Sequence, residues 1–299
     1  MIRIESIGLR ATIQDGGRFG HLRAGVPPSG PADPVAFAAA QALVGNDEHA
    51  AAIEVVGGNL TFSFDDRRLV AVTGRDVALK GRDLVPGWTA VFARPGEVLT
   101  ALAGPRARFM YVAVSGGIAS EPTLGSRAAY LPAGIGAPLR SGERLPVGST
   151  NVDPEHAGRT IRSPDYDTGQ IRAITGPHAQ RFTDEAQALF FKAEFQVEPA
   201  SDRMGTRLGG QLITARAGEI LTAGVIAGAV QIPSGGAPIV LLAEHQATGG
   251  YPIVATVISS DIGLVAQRLP GERLRFARVD RDRAVTAVRA TRAALEVIA

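Results

Sequence analysis

Short apolar runs, each closed by glycine, proline or a charge, dominate the chain: IRIESI, NLTFSF, RLVAVTG, RFMYVAV, GAVQIP, PIVLLA, PIVATVIS and RLRFARV. Many short β-branched strands with few helices between them argue for antiparallel sandwiches or barrels rather than a doubly wound parallel sheet. Three helical patterns stand out. One follows Asp33, an N-cap residue, and Pro34, suited to the first helical position; it continues as VAFAAAQALV and stops at Gly45-Asn46. A second, TDEAQALFF from Thr183, opens with a hydroxyl and two acids. The last runs from Asp280 through Leu295 and puts Ala284, Val285, Val288 and Leu295 on one narrow face, with Arg292 at its edge; it is expected to pack on a barrel as a closing element.

The polar, proline-bearing stretch Ser149–Gly169 reads as an inter-domain connection, which gives an N-terminal domain over 1–160 and a C-terminal domain over 161–299. A faint internal echo accompanies it. VTGRDV at Val72 resembles ITGPHA at Ile174, and RPGEVLTA at Arg94 resembles LPGERLRF at Leu269, but at different spacings, so a tandem repeat is not established.

Composition narrows the function more than the fold. The 299 residues are 45% hydrophobic and 20% charged, which suits two domains of ordinary size. Net charge is +2, and no basic run or basic helix marks a nucleic-acid partner. Cysteine is absent, which removes thiolate nucleophiles, thiolate metal sites and disulfides and leaves a cytoplasmic enzyme as the expectation. The start MIRIESIGLR has no export pattern. The longest apolar region, from Ile220, is interrupted by Gln231, Pro233 and a glycine pair, so no membrane span is expected.

Several chemistries are excluded. Neither Lys80 nor Lys192 follows a glycine, so there is no Walker-type phosphate loop. There is no Gly-x-Ser-x-Gly elbow, and His21, His49, His156, His178 and His245 never fall at the spacing that aims two at one metal; no metal site is expected. No lysine sits between methionines, so biotin would have to arrive on another chain.

Three stretches carry more polar chemistry than folding needs. TIQDGGRFGHLRAGVPPSGPAD, Thr12 to Asp33, combines glycine and proline with Gln14, Asp15, Arg18, Arg23 and Asp33, and it leads into a helix N-terminus, a geometry suited to an anion although Asp33 at the cap opposes it. SDRMGTRLGG places Arg203 and Arg207 four apart around Gly205, in a bent strand or turn. The pair reads either as surface ion pairs or as a bidentate clamp for carboxylate or phosphate. AEHQATGGYP follows an apolar strand with His245, an acid or base near neutral pH or a histidine satisfied in a turn, and then with backbone that a ligand can approach.

Taken in order with ALVGNDEHAAAIE, ITGPHAQRF and GAVQIPSGGAPIVLLAEHQATGGYP, these stretches resemble the biotin-dependent carboxyltransferase family, also called allophanate hydrolase subunit 2. That family includes the C component of prokaryotic 5-oxoprolinase, the KipA proteins and the carboxyltransferase region of urea carboxylase. The resemblance runs from Ile4 to about Phe276. It implies a mainly β protein of two cyclophilin-like β-barrel domains with a few short helices. It places Gln14, Asp15, Arg18, Ser29, Gly30, Asp33, Asn46, Glu54, Arg203, Arg207, Gln246, Thr248, Gly249, Gly250 and Tyr251 at motif positions, with Glu244 and Ala247 where the family commonly shows aspartate and threonine. With no carrier or ATP-grasp segment in the chain, the expected function is that of the C component of an ATP-dependent 5-oxoprolinase, a lactam hydrolase inactive without a KipI-like B component and a third, A component. ATP is held here or shared with a partner. The alternatives are a urea or allophanate carboxyltransferase component and a non-catalytic KipA-type antagonist of a kinase inhibitor. The resemblance thus suggests Asp15, Arg203, Arg207 and His245 as catalytic groups, with Gln14, Arg18, Ser29, Gly30, Asp33, Gln246, Thr248, Gly249, Gly250 and Tyr251 as binding groups.

Overall fold

The structure is a computed structural model that describes residues 1–149, 152, 154–216 and 220–295. It is mainly β with a few short helices, as expected. The chain divides into two compact units: Met1–Arg18 with Ser29–Pro164 and Arg292–Ala299, and Phe19–Pro28 with Asp165–Thr291.

In the first unit, alternation sets one sheet. Ile2 and Ile4 are buried while Arg3 is exposed, and Leu60, Phe62 and Phe64 face inward with Thr61 and Ser63 between them. These strands belong to a six-stranded sheet ordered Arg144–Leu145, Ile2–Ile7, Leu60–Phe64, Val98–Ala103, Val77–Lys80 and Leu84–Pro86. A five-stranded sheet runs Arg10–Gln14, Ala52–Val56, Phe109–Val114, Arg68–Gly74 and Ala90–Ala93. Apolar side chains of both sheets, among them Ile4, Phe62, Leu99, Val72 and Val112, share one core. The strands RLVAVTG and FMYVAV do not alternate because they are buried along their whole length. Helix α1, Pro34–Leu43, covers their second face with alanines small enough for close approach, Thr73 Oγ1 donating to the Ala36 carbonyl at 2.6 Å.

The expected connection is partly folded structure. Thr150, Asn151 and Asp153 lie outside the described residues, but Ala90 N donates to Arg159 O at 2.9 Å and Ile161 N to Trp88 O at 3.1 Å, and Ile161 is buried.

The second unit is built on a closed barrel of seven strands among the described residues: Gln170–Thr175, Ile253–Val257, Ala229–Gln231, Ile239–Leu241, Gly205–Gly210, Glu194–Val197 and Arg273–Arg278. Parallel pairing of the first with the last closes it. Helix α2, Asp184–Lys192, is capped by the Thr183 hydroxyl and packs Phe190 against Phe276 (centroids 4.6 Å apart, stacked) and Phe195. A short helix, α3 at Ile262–Ala266, is buried and gave no separate sequence signal. Helix α4, Arg281–Ala293, forms where expected but corrects its expected packing: none of its residues is buried, and Val285 is 40% exposed. Arg281, Arg283, Arg289 and Arg292 leave too thin an apolar stripe to hold a helix face against a core.

The RPGE and LPGE part of the echo is one turn, used again at Arg140–Glu143. At Arg94–Glu97, Arg140–Glu143 and Leu269–Glu272 the fourth N–H donates to the first carbonyl at 3.1 Å. The glutamate carboxylate reaches back to accept the first N–H at 3.0, 2.8 and 2.8 Å, respectively. The third residue is a glycine with φ of 73°, 85° and 90°, which fits the left-handed position of a tight turn.

Candidate functional site

Glycine and proline break the chain after the strand Arg10–Gln14, and polar side chains then fix the break. Asp15 Oδ1 accepts from Gly17 N at 2.9 Å and from Ser126 Oγ at 2.6 Å, and Oδ2 accepts from Arg127 N at 2.6 Å. Arg18, 1% exposed, donates Nε to Thr123 O and Nη2 to Ser126 O and Ala128 O at 3.0, 3.3 and 2.7 Å. Burial pulls its pKa down, and the nearby Asp15 carboxylate opposes that shift. Gln14 and Ser29 both donate to the Ala129 carbonyl, at 3.2 and 2.7 Å. Ser29 and Gly30 take positive φ of 56° and 80° to make that approach. Gln14, Asp15, Arg18 and Ser29 therefore converge on one segment, Thr123–Ala129, and brace it.

The N-terminus of α1 is closed in the same manner, which corrects the expectation of an anion site there. Asp33 Oδ1 accepts from Ala36 N at 3.1 Å, and Asp33 N donates to the Tyr111 hydroxyl, which itself donates to Glu54 Oε2 at 2.9 Å. Glu54 Oε2 also accepts from Ala32 N at 3.1 Å. A helix end already surrounded by two carboxylates repels a further anion. Asn46 likewise serves the backbone, donating to Val114 O and accepting from Gly116 N at 2.9 and 2.8 Å.

In the second unit the polar residues are used differently. Asp202 Oδ1 accepts from Met204 N and Gly205 N, which makes the turn that launches the strand Gly205–Gly210. That strand buries Thr206 and exposes Arg207. Arg203 lies before it, 7% exposed, with Nε donating to Glu244 Oε1 at 2.7 Å. The two arginines therefore do not form a pair of matched arms: Arg207 lines a cleft of about 280 Å³, and Arg203 does not. Gln246 and Tyr251 line the same cleft, over a floor of Ile239 and Leu241. His245 is 4% exposed, and its Nδ1 lies 2.7 Å from the Gln246 carbonyl. A carbonyl only accepts, so Nδ1 carries the proton and the ring holds the Gln246 turn in place. Thr248 and Gly249 pair with Ala223–Gly224, and Gly250 helps line a second cleft of about 540 Å³ that meets the first at Pro233 and Tyr251.

Sequence reasoning missed Gln231, which lines the smaller cleft, and Arg181 and Arg216, which line the larger one. A polar residue inside the apolar run AVQI was the available signal for Gln231. Among the described residues no group of three or more histidine, aspartate or glutamate side chains is arranged to hold a metal ion.

Comparison with known proteins identifies the family. The chain is 34% identical over 294 residues to the 5-oxoprolinase C subunit of Escherichia coli, covering 96% of this chain and 94% of that one. It is 28% identical over 305 residues to urea amidolyase of Saccharomyces cerevisiae, covering 92% of this chain but 16% of that protein. The crystal structure of TTHA0988 superposes with a TM-score of 0.83 at 29% identity, over 92% of this chain; the chain spans about half the length of that one, 55%. The family model for the carboxyltransferase domain, subdomain A and B, matches residues 24–278, and the chain belongs to that family.

Proposed function

We propose that the protein is the C component of an ATP-dependent 5-oxoprolinase, a lactam hydrolase that works in complex with a KipI-like B component and a third, A component. The observation that carries this reading is the end-to-end correspondence with a protein of that name, 96% of one chain against 94% of the other, whereas the urea amidolyase match occupies a sixth of its partner. The cleft of the second unit suits the substrate. 5-Oxoproline is a five-membered lactam bearing a carboxylate. Arg207 offers a planar guanidinium for the carboxylate, Ile239 and Leu241 an apolar floor for the ring, and Gln231 and Gln246 carboxamides for the lactam edge.

The same residues do not fit a nucleoside triphosphate. The smaller cleft carries one guanidinium, and the sequence has no Walker-type phosphate loop. ATP is on this reading held by a partner chain or shared with it. On this chain the work is to bind the acid, orient the lactam carbonyl and keep the ring against an apolar surface. Arg203 and His245 act as positioning groups that hold the Glu244 side chain and the Gln246 turn, respectively, while Asp15 braces the segment Thr123–Ala129 of the first unit.

A biotin-dependent carboxyltransferase is the second reading, favoured by the family description itself. The co-purified complex should release glutamate from 5-oxoproline only with ATP and only with this chain present, and avidin should leave the rate unchanged. Avidin-sensitive carboxyl transfer to urea, with no glutamate formed, would replace the first reading by the second.

A further inference from the structure

The loop 201–207 presents a carboxylate and a guanidinium to the smaller cleft. Arg207 N donates to Ser201 Oγ at 3.0 Å and closes the loop. At its start, Asp202 Oδ1 accepts from Met204 N at 2.8 Å and Gly205 N at 3.2 Å, which fixes the side chain and leaves Oδ2 without a hydrogen-bond partner among the described residues. At its end, Arg207 lies opposite Ile239, and Gly205 lies opposite Leu241. All four line the cleft, so the strand face that carries Arg207 is the cleft face, while Thr206 is buried on the other one. Asp202 also lines the cleft, and both charged residues are exposed and accessible from it. Among the described residues the Arg207 guanidinium has neither an ion pair nor a hydrogen bond, so the two charges do not pair with each other. The turn commits one carboxylate oxygen to backbone and keeps the other for a donor that the chain does not supply.

We propose that Asp202 determines specificity, its Oδ2 accepting the ring N–H of the bound acid while Arg207 takes the carboxylate. This rests on the reading of the cleft as the 5-oxoproline site and adds to it which group reads the lactam nitrogen. In 5-oxoproline that nitrogen is bonded to the carbon bearing the carboxylate, so an acceptor and a guanidinium on one closed loop meet both. Arg207 recognises a charge that many small acids share. Asp202 recognises the N–H, which separates the lactam from the lactone of the same ring, carbonyl and carboxylate. A hydrogen bond to a carboxylate is among the stronger kinds, and a ring oxygen in the same place sets lone pairs against that carboxylate instead.

The test is calorimetric titration of the full chain without ATP, alone and with its partner chains bound, using 5-oxoproline and its lactone analogue, in which a ring oxygen replaces the N–H. Wild type should prefer 5-oxoproline by about ten- to a hundredfold, because a site built around a hydrogen bond rejects the analogue that cannot make it. Asp202→Asn keeps an oxygen for Met204 N and Gly205 N, and so the turn, but puts a donor where Oδ2 stood. It should erase or invert the preference by weakening 5-oxoproline at least about tenfold, with the lactone bound no more weakly than by wild type. Arg207→Ala should weaken both ligands alike. The wild-type comparison needs no variant and decides on its own if Asp202→Asn does not fold. Wild type that binds lactam and lactone equally, or a preference that survives in Asp202→Asn, overturns the proposal and leaves the substrate reading standing. Wild type with affinity for neither acid, or an Arg207→Ala chain that binds both as wild type does, overturns both.

Discussion

Two groups of polar residues carry the family resemblance, and they differ in what their polar atoms face. In the first unit, Asp15 and Arg18 are turned inward onto backbone: three donors reach the carboxylate, and three carbonyls surround the guanidinium. In the second, Arg207 is exposed and lines a cleft. Unusual polar residues in a glycine-rich loop are thus not by themselves a site. Where side chains bond to backbone within the chain, they build a shape; where a guanidinium stays exposed beside a cleft, as that of Arg207 does, it is available to a ligand.

The sharpest way to break this comparison is Asp15→Ala. It leaves Gly17 N, Ser126 Oγ and Arg127 N without their acceptor and Arg18 without its nearby countercharge. Loss of a buried, hydrogen-bonded charge costs about 3–5 kcal/mol, so urea unfolding should show a drop of that order. An unchanged midpoint would mean that Asp15 braces nothing. Arg207→Ala is the converse. Substrate binding should weaken about a hundredfold, as expected when a charged ligand loses its bidentate partner, while stability stays within about 0.5 kcal/mol because the side chain is exposed. A variant that unfolds early but binds normally would reverse the roles of the two regions.

The strands were legible because their signal is local. Runs such as IRIESI and RLRFARV carry their own alternation, and Asp33-Pro34 and Thr183 announce their helices by capping chemistry. Helix α4 misled because its apolar positions satisfy a helical period without satisfying a contact; only the fold says whether a surface lies opposite. The site was half legible for the same reason. Arg203 and Arg207 look equivalent in SDRMGTRLGG, and a turn made by Asp202 sends one to Glu244 and the other to the cleft. Gln231 was hidden because a single glutamine in AVQI has no pattern of its own; its meaning comes from Gln246 and Gly249, far along the chain.

A smaller effect sharpens the first half of the comparison. The Tyr111 hydroxyl accepts from Asp33 N and donates to Glu54, which links the start of α1 to the sheet beneath it. Tyr111→Phe removes both bonds and keeps the ring edge-on to Phe37 at 5.9 Å. The loss should be about 1–2 kcal/mol by denaturant titration, with binding of 5-oxoproline unaltered. Altered binding without lost stability would place this network in a ligand site.

The smallest expected effect separates the two units by their response to acid. Arg68, 6% exposed in its side chain, donates to Ser115 O and Gly148 O and grips Asp66 with two further bonds of 2.9 and 2.6 Å. The hydrogen bond to Arg68 holds the Asp66 carboxyl below its ordinary range. A depressed carboxyl contributes stability that is fully present above its unfolded pKa, about 3.9, and is lost as pH falls through the lower folded value. Asp66 is half exposed, so its contribution at neutral pH should be at most about 1 kcal/mol. Asp66→Asn should therefore be slightly less stable than wild type at pH 7 and equally stable near pH 2, with the gap closing below about pH 4. On the barrel, Glu194 is also held low by Arg273 and then Arg275, but at the surface, where salt screens it. Raising the salt concentration should erase the acid response of the Glu194 pair and leave much of that of Asp66, whose arginine is anchored by the Ser115 and Gly148 carbonyls. Equal salt sensitivity at the two places would mean that the Arg68 anchor adds nothing to the pair it supports.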